Sequence, residues 1–259
     1  MVLEIAAGTW SGSMALLADG WHMGTHSAAF LIAIFAYSYA KKNANNKLFS
    51  FSTGKVNYLG GFASAIALAI VALLMVVESV QRIIEPNNIY FNEAIIVAVV
   101  GLIVNIVSAF ILKDDHHHHD HDHNMKAAYL HVLADALTSV LAIVALLTGK
   151  YMSIIWIDPV MGIVGAIVIF HWSYGLIKES SGVLLDKSID VPAFEKISQT
   201  LNEKNTIIND IHVWKIATTH QAAILSVPSP SPLSTEEYKK LLSESLPQLS
   251  HISVEVNKI

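Results

Sequence analysis

Five long apolar stretches, parted by short polar ones, dominate the first two thirds of the chain. They run at about 14–39, 56–81, 92–112, 125–148 and 157–178. Each reaches the roughly 20 mostly apolar residues that a helix needs to cross a bilayer. The opening "MVLEIAAGTW" is apolar but too short to span alone. Beyond Lys178 the pattern changes to charged, alternating segments. Pro192 fits the first turn of a helix, and "NDIHVWKI" and "QAAILSV" alternate as strands. "PSPSPLS" is a loop, "STEEYKKLLSESL" a helix opened by a Ser234–Glu237 capping box, and "HISVEVNKI" a closing strand. The expected fold is a polytopic α-helical membrane bundle over 1–180 and a small α+β domain over 181–259, in the order α-β-β-α-β.

Orientation follows the lysines, which are enriched in short cytoplasmic loops. Lys41, Lys42, Lys47 and Lys55 crowd the first polar loop, which places it inside. The loop "RIIEPNNIYFNE" is then outside, the histidine-rich loop inside, "GKYMS" outside and the C-terminal domain in the cytoplasm. Five spans with that end inside put residue 14 outside. The opening stub is therefore expected to be the outer half of a first span that is shortened here.

Composition narrows the function. The chain is 53% hydrophobic and 14% charged, with a mean hydropathy of +0.50. Soluble domains carry about 25% charge. The net charge of −5 argues against a nucleic-acid partner, which needs a basic face. With no cysteine, disulfides and thiolate metal sites are excluded, so a metal would fall to His, Asp or Glu.

The 13 histidines are the anomaly. His22 and His26 lie one helical turn apart in the first long stretch, and His131 and Asp135 repeat that spacing in the fourth. Ionisable groups are costly in a membrane and mark partners or pathways. Single histidines there serve as hydrogen bonders between helices, but two such pairs offer four ligands from two helices. Three imidazoles and one carboxylate suit zinc, cobalt or nickel, and suit magnesium or calcium poorly. Asp19, one turn before His22, is either an accessory acceptor or a polar helix end. Asn105 and Ser108 are expected to bond across helices, Asn105 alternatively lining an ion path.

Two further groups carry chemistry. The tract "KDDHHHHDHDHN" at 113–124 holds His116, His117, His118, His119, His121 and His123, broken by aspartates. Such a tract captures metal loosely, concentrating ions rather than selecting them. In the C-terminal domain, His212, His220 and His251 are either domain ligands or ordinary strand and loop residues.

"GSMALLADGWHMGTH", "FSTGKVNYLGG", "AAYLHVLADALTSV", "WIDPVMGIVGAIVIF", "GVLLDKSID" and "IHVWKI" together resemble the cation diffusion facilitator family over nearly the whole chain. The resemblance implies six spans, a ferredoxin-like, metallochaperone-like cytoplasmic domain, and a homodimer in the bacterial inner membrane that exchanges divalent metal for protons. It places the transport site at His22, His26, His131 and Asp135, and a charge interlock at Lys55 and Asp186. Family members usually carry Asp where this chain has His26, and the His-x-x-x-His variant resembles the cobalt/nickel-exporting (DmeF-like) branch. The expected function is efflux of cobalt, nickel or zinc, with no enzymatic turnover and no cofactor beyond the transported ion. The rival is a membrane metal sensor or store without transport. A metalloenzyme lacks support, since the chain has no HExxH motif.

Overall fold

The structure, a computed structural model, describes residues 1–44, 46–114, 122–188, 191–202, 206–229 and 232–258; at 26, 109, 112–114, 122–134 and 191–193 it describes the backbone alone. Six helices come first: α1 (Val2–Ser11), α2 (Met14–Lys42), α3 (Val56–Ile84), α4 (Phe91–Asp114), α5 (Asp122–Met152) and α6 (Ile157–Leu184). Then follow α7 (Val191–Asn202), β1 (Asp210–Lys215), β2 (Gln221–Ser229), α8 (Thr235–Ser245) and β3 (Leu249–Lys258). The α-β-β-α-β order is the one expected. The long helices overrun their apolar stretches by up to one or two turns, because a helix continues into polar sequence wherever nothing breaks it. Thus α6 runs on past Lys178 to Leu184.

The chain divides into two compact units, Met1–Leu31 with Ser64–Gly175, and Ile32–Ala63 with Leu176–Ile259. In the first, α4 packs along α5 and α1 lies against α4. Its buried positions are mostly small: Ala15, Ala18, Ala72, Ala94, Ala98, Ala142, Ala145 and Ala166. Its large apolar side chains, such as Leu73, Leu74, Ile103 and Val107, are at least half exposed. A water-soluble bundle does the reverse. In lipid, apolar side chains gain nothing by hiding, and small residues win the interfaces because they let backbones approach. Among the described residues, four helical stretches are long and apolar enough to cross a membrane: Val56–Ile84, Phe91–Ser108, Asp135–Met152 and Ile157–Leu184.

Helices α1 and α2 are joined by a tight turn. Gly12 adopts φ 75°, a left-handed conformation that favours glycine, and its amide donates back to the Gly8 carbonyl. Arg82 of α3 donates to the Gly12 carbonyl and pairs with Glu78 at 2.5 Å. The first amides of α2 are satisfied from another helix. Asp158 of α6 accepts from the Ser13 hydroxyl (2.6 Å), the Met14 amide (2.6 Å) and the Ala15 amide (3.2 Å), while Ser13 Oγ accepts from the Leu16 amide at 3.1 Å. A carboxylate at a helix N-terminus also meets the positive end of the helix dipole. Just beyond, α2 and α6 close up: a Cβ on Gly162 would fall 2.8 Å from that of Met14, and one on Gly165 2.8 Å from that of Ala18.

In the second unit, the sheet has the order β1-β2-β3, with β1 antiparallel and β3 parallel to β2. Ile197 and Leu201 of α7 and Tyr238 and Leu242 of α8 pack on Val213, Ala223, Leu225 and Val227. The Ser234–Glu237 capping box is present. The Ser234 amide (2.8 Å) and hydroxyl (2.7 Å) donate to Glu237 Oε2, and the Glu237 amide donates to Ser234 Oγ at 3.3 Å. The bonds from the Ser234 side chain and backbone hold the Glu237 carboxyl below the usual glutamate range. Stability from this lowered pKa is fully present above the unfolded-state value and is lost as pH falls through the folded one. Hence Glu237→Gln lowers the thermal midpoint of this domain at neutral pH, and the gap from wild type closes on acidification. A gap independent of pH, measured by circular dichroism, would contradict this account.

Candidate metal centre

Helices α2 and α5 run antiparallel where their polar residues meet. His22 Nε2 lies 3.0 Å from Asp135 Oδ1, with both residues about 95% buried. With Asp135 ionised, the imidazole Nε2–H donates to the carboxylate. One turn along, Asp19 accepts from Thr138 Oγ1 (3.0 Å) at one oxygen and Ser139 Oγ (2.7 Å) at the other. Asn105 Nδ2 of α4 then donates to Ser139 Oγ at 3.2 Å. Three helices are tied together by this buried polar ladder, which supplies the bonds that a buried carboxylate requires.

The Trp172 indole of α6 lies 5.0 Å from the His22 ring, centroid to centroid, tilted by 50°. A cavity of about 110 Å³ extends from His22 and Asp19 along α2, α5 and α6, lined also by Thr138, Leu141, Met161 and Gly165. The pocket is apolar apart from Asp19, His22 and Thr138.

The expected ligands are placed unequally. His22 and Asp135 come together. His26 lies within α2 and His131 within α5, but their side chains are outside the described residues. The capture tract is likewise outside them: His116, His117, His118, His119 and His121 entirely, His123 by its side chain. Asp19 makes two hydroxyl contacts on α5, so it braces α2 against α5. Asn105 does bond across helices. Ser108 does not: its hydroxyl donates to the Val104 carbonyl of its own helix, because an exposed serine takes the i−4 acceptor within reach.

Lys55 and Asp186 form an ion pair. Near them Phe51 meets Trp214 and His251 edge-on, at 5.8 and 5.3 Å. His212, His220 and His251 do not converge. His212 pairs with Asp210 at 3.0 Å, His220 Nδ1 sits 3.0 Å from the Thr219 hydroxyl, and His251 packs on Phe51. The strand register explains this: His212 lies opposite Ile224, whereas His251 lies opposite Ala222 on the far side of β2. Among the described residues no three metal-competent side chains cluster.

Four residues of this region are not evident from the apolar pattern. Thr138 and Ser139 follow Asp135 at i+3 and i+4, a spacing that puts them on its face. Asp158 stands before Pro159 at a helix start. Trp172 carries no local signal at all.

Residues 1–185 match the cation efflux transmembrane domain. The chain is 34% identical over 221 residues to the zinc transporter ZitB of Pectobacterium atrosepticum, covering 83% of this chain and 68% of the relative. It is 28% identical over 254 residues to the cadmium, cobalt and zinc/H(+)-K(+) antiporter of Bacillus subtilis, covering 97% and 81%. The cation efflux system protein CzcD of an Alcaligenes strain is 26% identical over 264 residues, covering 98% and 81%. Apolar helices with small-residue interfaces and this match over most of the chain make it a multi-pass membrane protein, and it belongs to the cation efflux, or cation diffusion facilitator, family.

Proposed function

We propose that this protein exports divalent transition metals, cobalt and nickel with zinc as the competing cargo, from the cytoplasm in exchange for protons. The observation that carries the reading is the buried His22–Asp135 contact between two helices. The antiparallel register that sets residue 19 against 138–139 and 22 against 135 brings positions 26 and 131 to the next level along the same two helices. His22, His26, His131 and Asp135 are thus read as the ligand set. Relatives named as zinc, cadmium and cobalt transporters, one an antiporter with protons, agree with this class.

The contact also suggests how protons couple. A proton held between Nε2 and Oδ1 across 3.0 Å, in addition to the one on Nδ1, leaves the metal-free pair one proton richer than the ligating pair. Two ligands on one tetrahedral ion, each about 2.0–2.1 Å from it, stand about 3.3 Å apart. A metal needs only a small opening of this pair, and because it ligates the neutral, Nδ1-protonated imidazole and ionised Asp135 it releases that one extra proton. Proton and metal compete for one place, and a helix movement that exposes that place to each side in turn exchanges them.

The family's six spans, a ferredoxin-like domain in the cytoplasm, loose capture at 113–124 and a homodimer in the inner membrane fit the same transporter. An extra imidazole in place of carboxylate at His26 shifts preference toward nitrogen-seeking ions.

The test is metal uptake into sealed proteoliposomes under an imposed pH gradient. Wild type moves cobalt and nickel faster than zinc, and His26→Asp moves zinc faster than either. Binding without flux would favour a sensor or store. An unchanged metal order in the variant would leave His26 without a role in selectivity.

A further inference from the structure

A metal-ligating imidazole must be held as well as placed, because its lone pair has to point at the ion within about 10–20°. His22 is held from two helices. Asp135 of α5 fixes one nitrogen at 3.0 Å, and the indole of Trp172 of α6 lies 5.0 Å from the ring. Trp172 is itself well anchored. The next residue, Ser173, is buried and donates its hydroxyl to the Ala65 carbonyl of α3 at 2.5 Å. Below it, the close approach of Gly165 to Ala18 fixes the spacing of α6 and α2. Helix α6 supplies none of the proposed ligands, yet it brings a large rigid ring to one of them. Trp172 as a whole remains 42% exposed, so burial alone does not explain its placement.

We propose that Trp172 is a positioning residue of the metal site: its indole limits rotation of the His22 ring and keeps Nε2 aimed at Asp135 and at the ion. This rests on the reading of His22 as a ligand. The effect is steric and dispersive, so another flat aromatic ring fulfils it and a methyl group does not. It also makes Trp172, with Trp21 next to His22 in the chain, an indole that senses the site, because an open-shell ion such as cobalt quenches fluorescence at short range.

The experiment is a cobalt titration of the full chain in detergent micelles, followed by visible cobalt absorption and by tryptophan fluorescence. Trp172→Ala weakens cobalt binding about ten-fold, the scale seen when a ligand's supporting contact is lost. Trp172→Phe restores affinity to within about two-fold but diminishes the cobalt-induced quench, with Trp21 beside His22 supplying the remainder. Wild-type affinity in Trp172→Ala, or undiminished quenching in Trp172→Phe, would overturn the proposal, and the Phe readout survives if the Ala variant misfolds. Wild-type affinity in His22→Ala would remove His22 from the site, a failure of the underlying reading distinguishable from failure of the positioning role.

Discussion

Asp135→Asn nearly abolishes proton-driven metal flux, by about 100-fold or more, while the folded protein becomes no less stable. The two halves of this result have opposite physical origins. Asparagine has the shape of aspartate and can still accept from His22 Nε2 across the 3.0 Å contact, so the packing of α2 against α5 is kept. What disappears is the one negative charge among the four proposed ligands. A divalent ion then meets only neutral donors in a low-dielectric site, and its desolvation is no longer offset. The metal-free protein, by contrast, is relieved of a buried carboxylate. Flux in proteoliposomes and thermal unfolding in detergent should be measured on the same preparation. Full flux would exclude Asp135 from the site, and a large drop in the unfolding midpoint would mean that its charge serves the fold instead.

The second large effect concerns stability. Asp158→Ala removes the acceptor for the Ser13 hydroxyl and for two amides at the start of α2. That helix start is almost wholly buried, with Ser13 and Met14 at 0% exposure and Asp158 at 1%, so water does not replace the lost bonds. Each unsatisfied buried donor costs about 1–3 kcal/mol, with partial relaxation expected, which gives a loss of about 2–4 kcal/mol. Ser13→Ala loses only about 1 kcal/mol, the usual cost of an N-cap serine. The double variant is less destabilised than the sum, because both changes remove the same Ser13–Asp158 bond. Additive effects in denaturant unfolding would show that the two residues act separately. Because α2 carries His22 about two turns downstream, loosening this end also weakens cobalt affinity.

Some elements are set by residues close in sequence. The capping box at Ser234–Glu237 needs only three positions of spacing and a helix to follow, and it forms as read. The His22/His26 and His131/Asp135 pairs are legible for the same reason: i, i+4 spacing on a helix decides which side chains share a face. The apolar stretches announce the long helices, but their ends are blurred, since apolarity reports lipid and not where the hydrogen-bond ladder stops.

Other features depend on distant partners. Ser108 carries the same kind of side chain as Ser139, yet one turns to its own backbone and the other joins Asp19 and Asn105. Composition cannot separate them; burial does. His212 and His251 read as a possible pair of ligands until the strand register places them on opposite sides of β2 and out of line.

The amino-acid sequence by itself determined the membrane character, the α-β-β-α-β order of the C-terminal domain and the two i, i+4 pairs, because hydropathy and helical spacing are local properties. Tertiary structure alone decided that His22 faces Asp135 113 positions away, that Asp158 satisfies a helix start 145 positions before it, and that Trp172 stands beside the imidazole. Those juxtapositions follow from how closely small residues such as Ala18 and Gly165 let helices approach and from the rotation each helix takes there. No short stretch of chain encodes that rotation, because it is set jointly by both helices in contact.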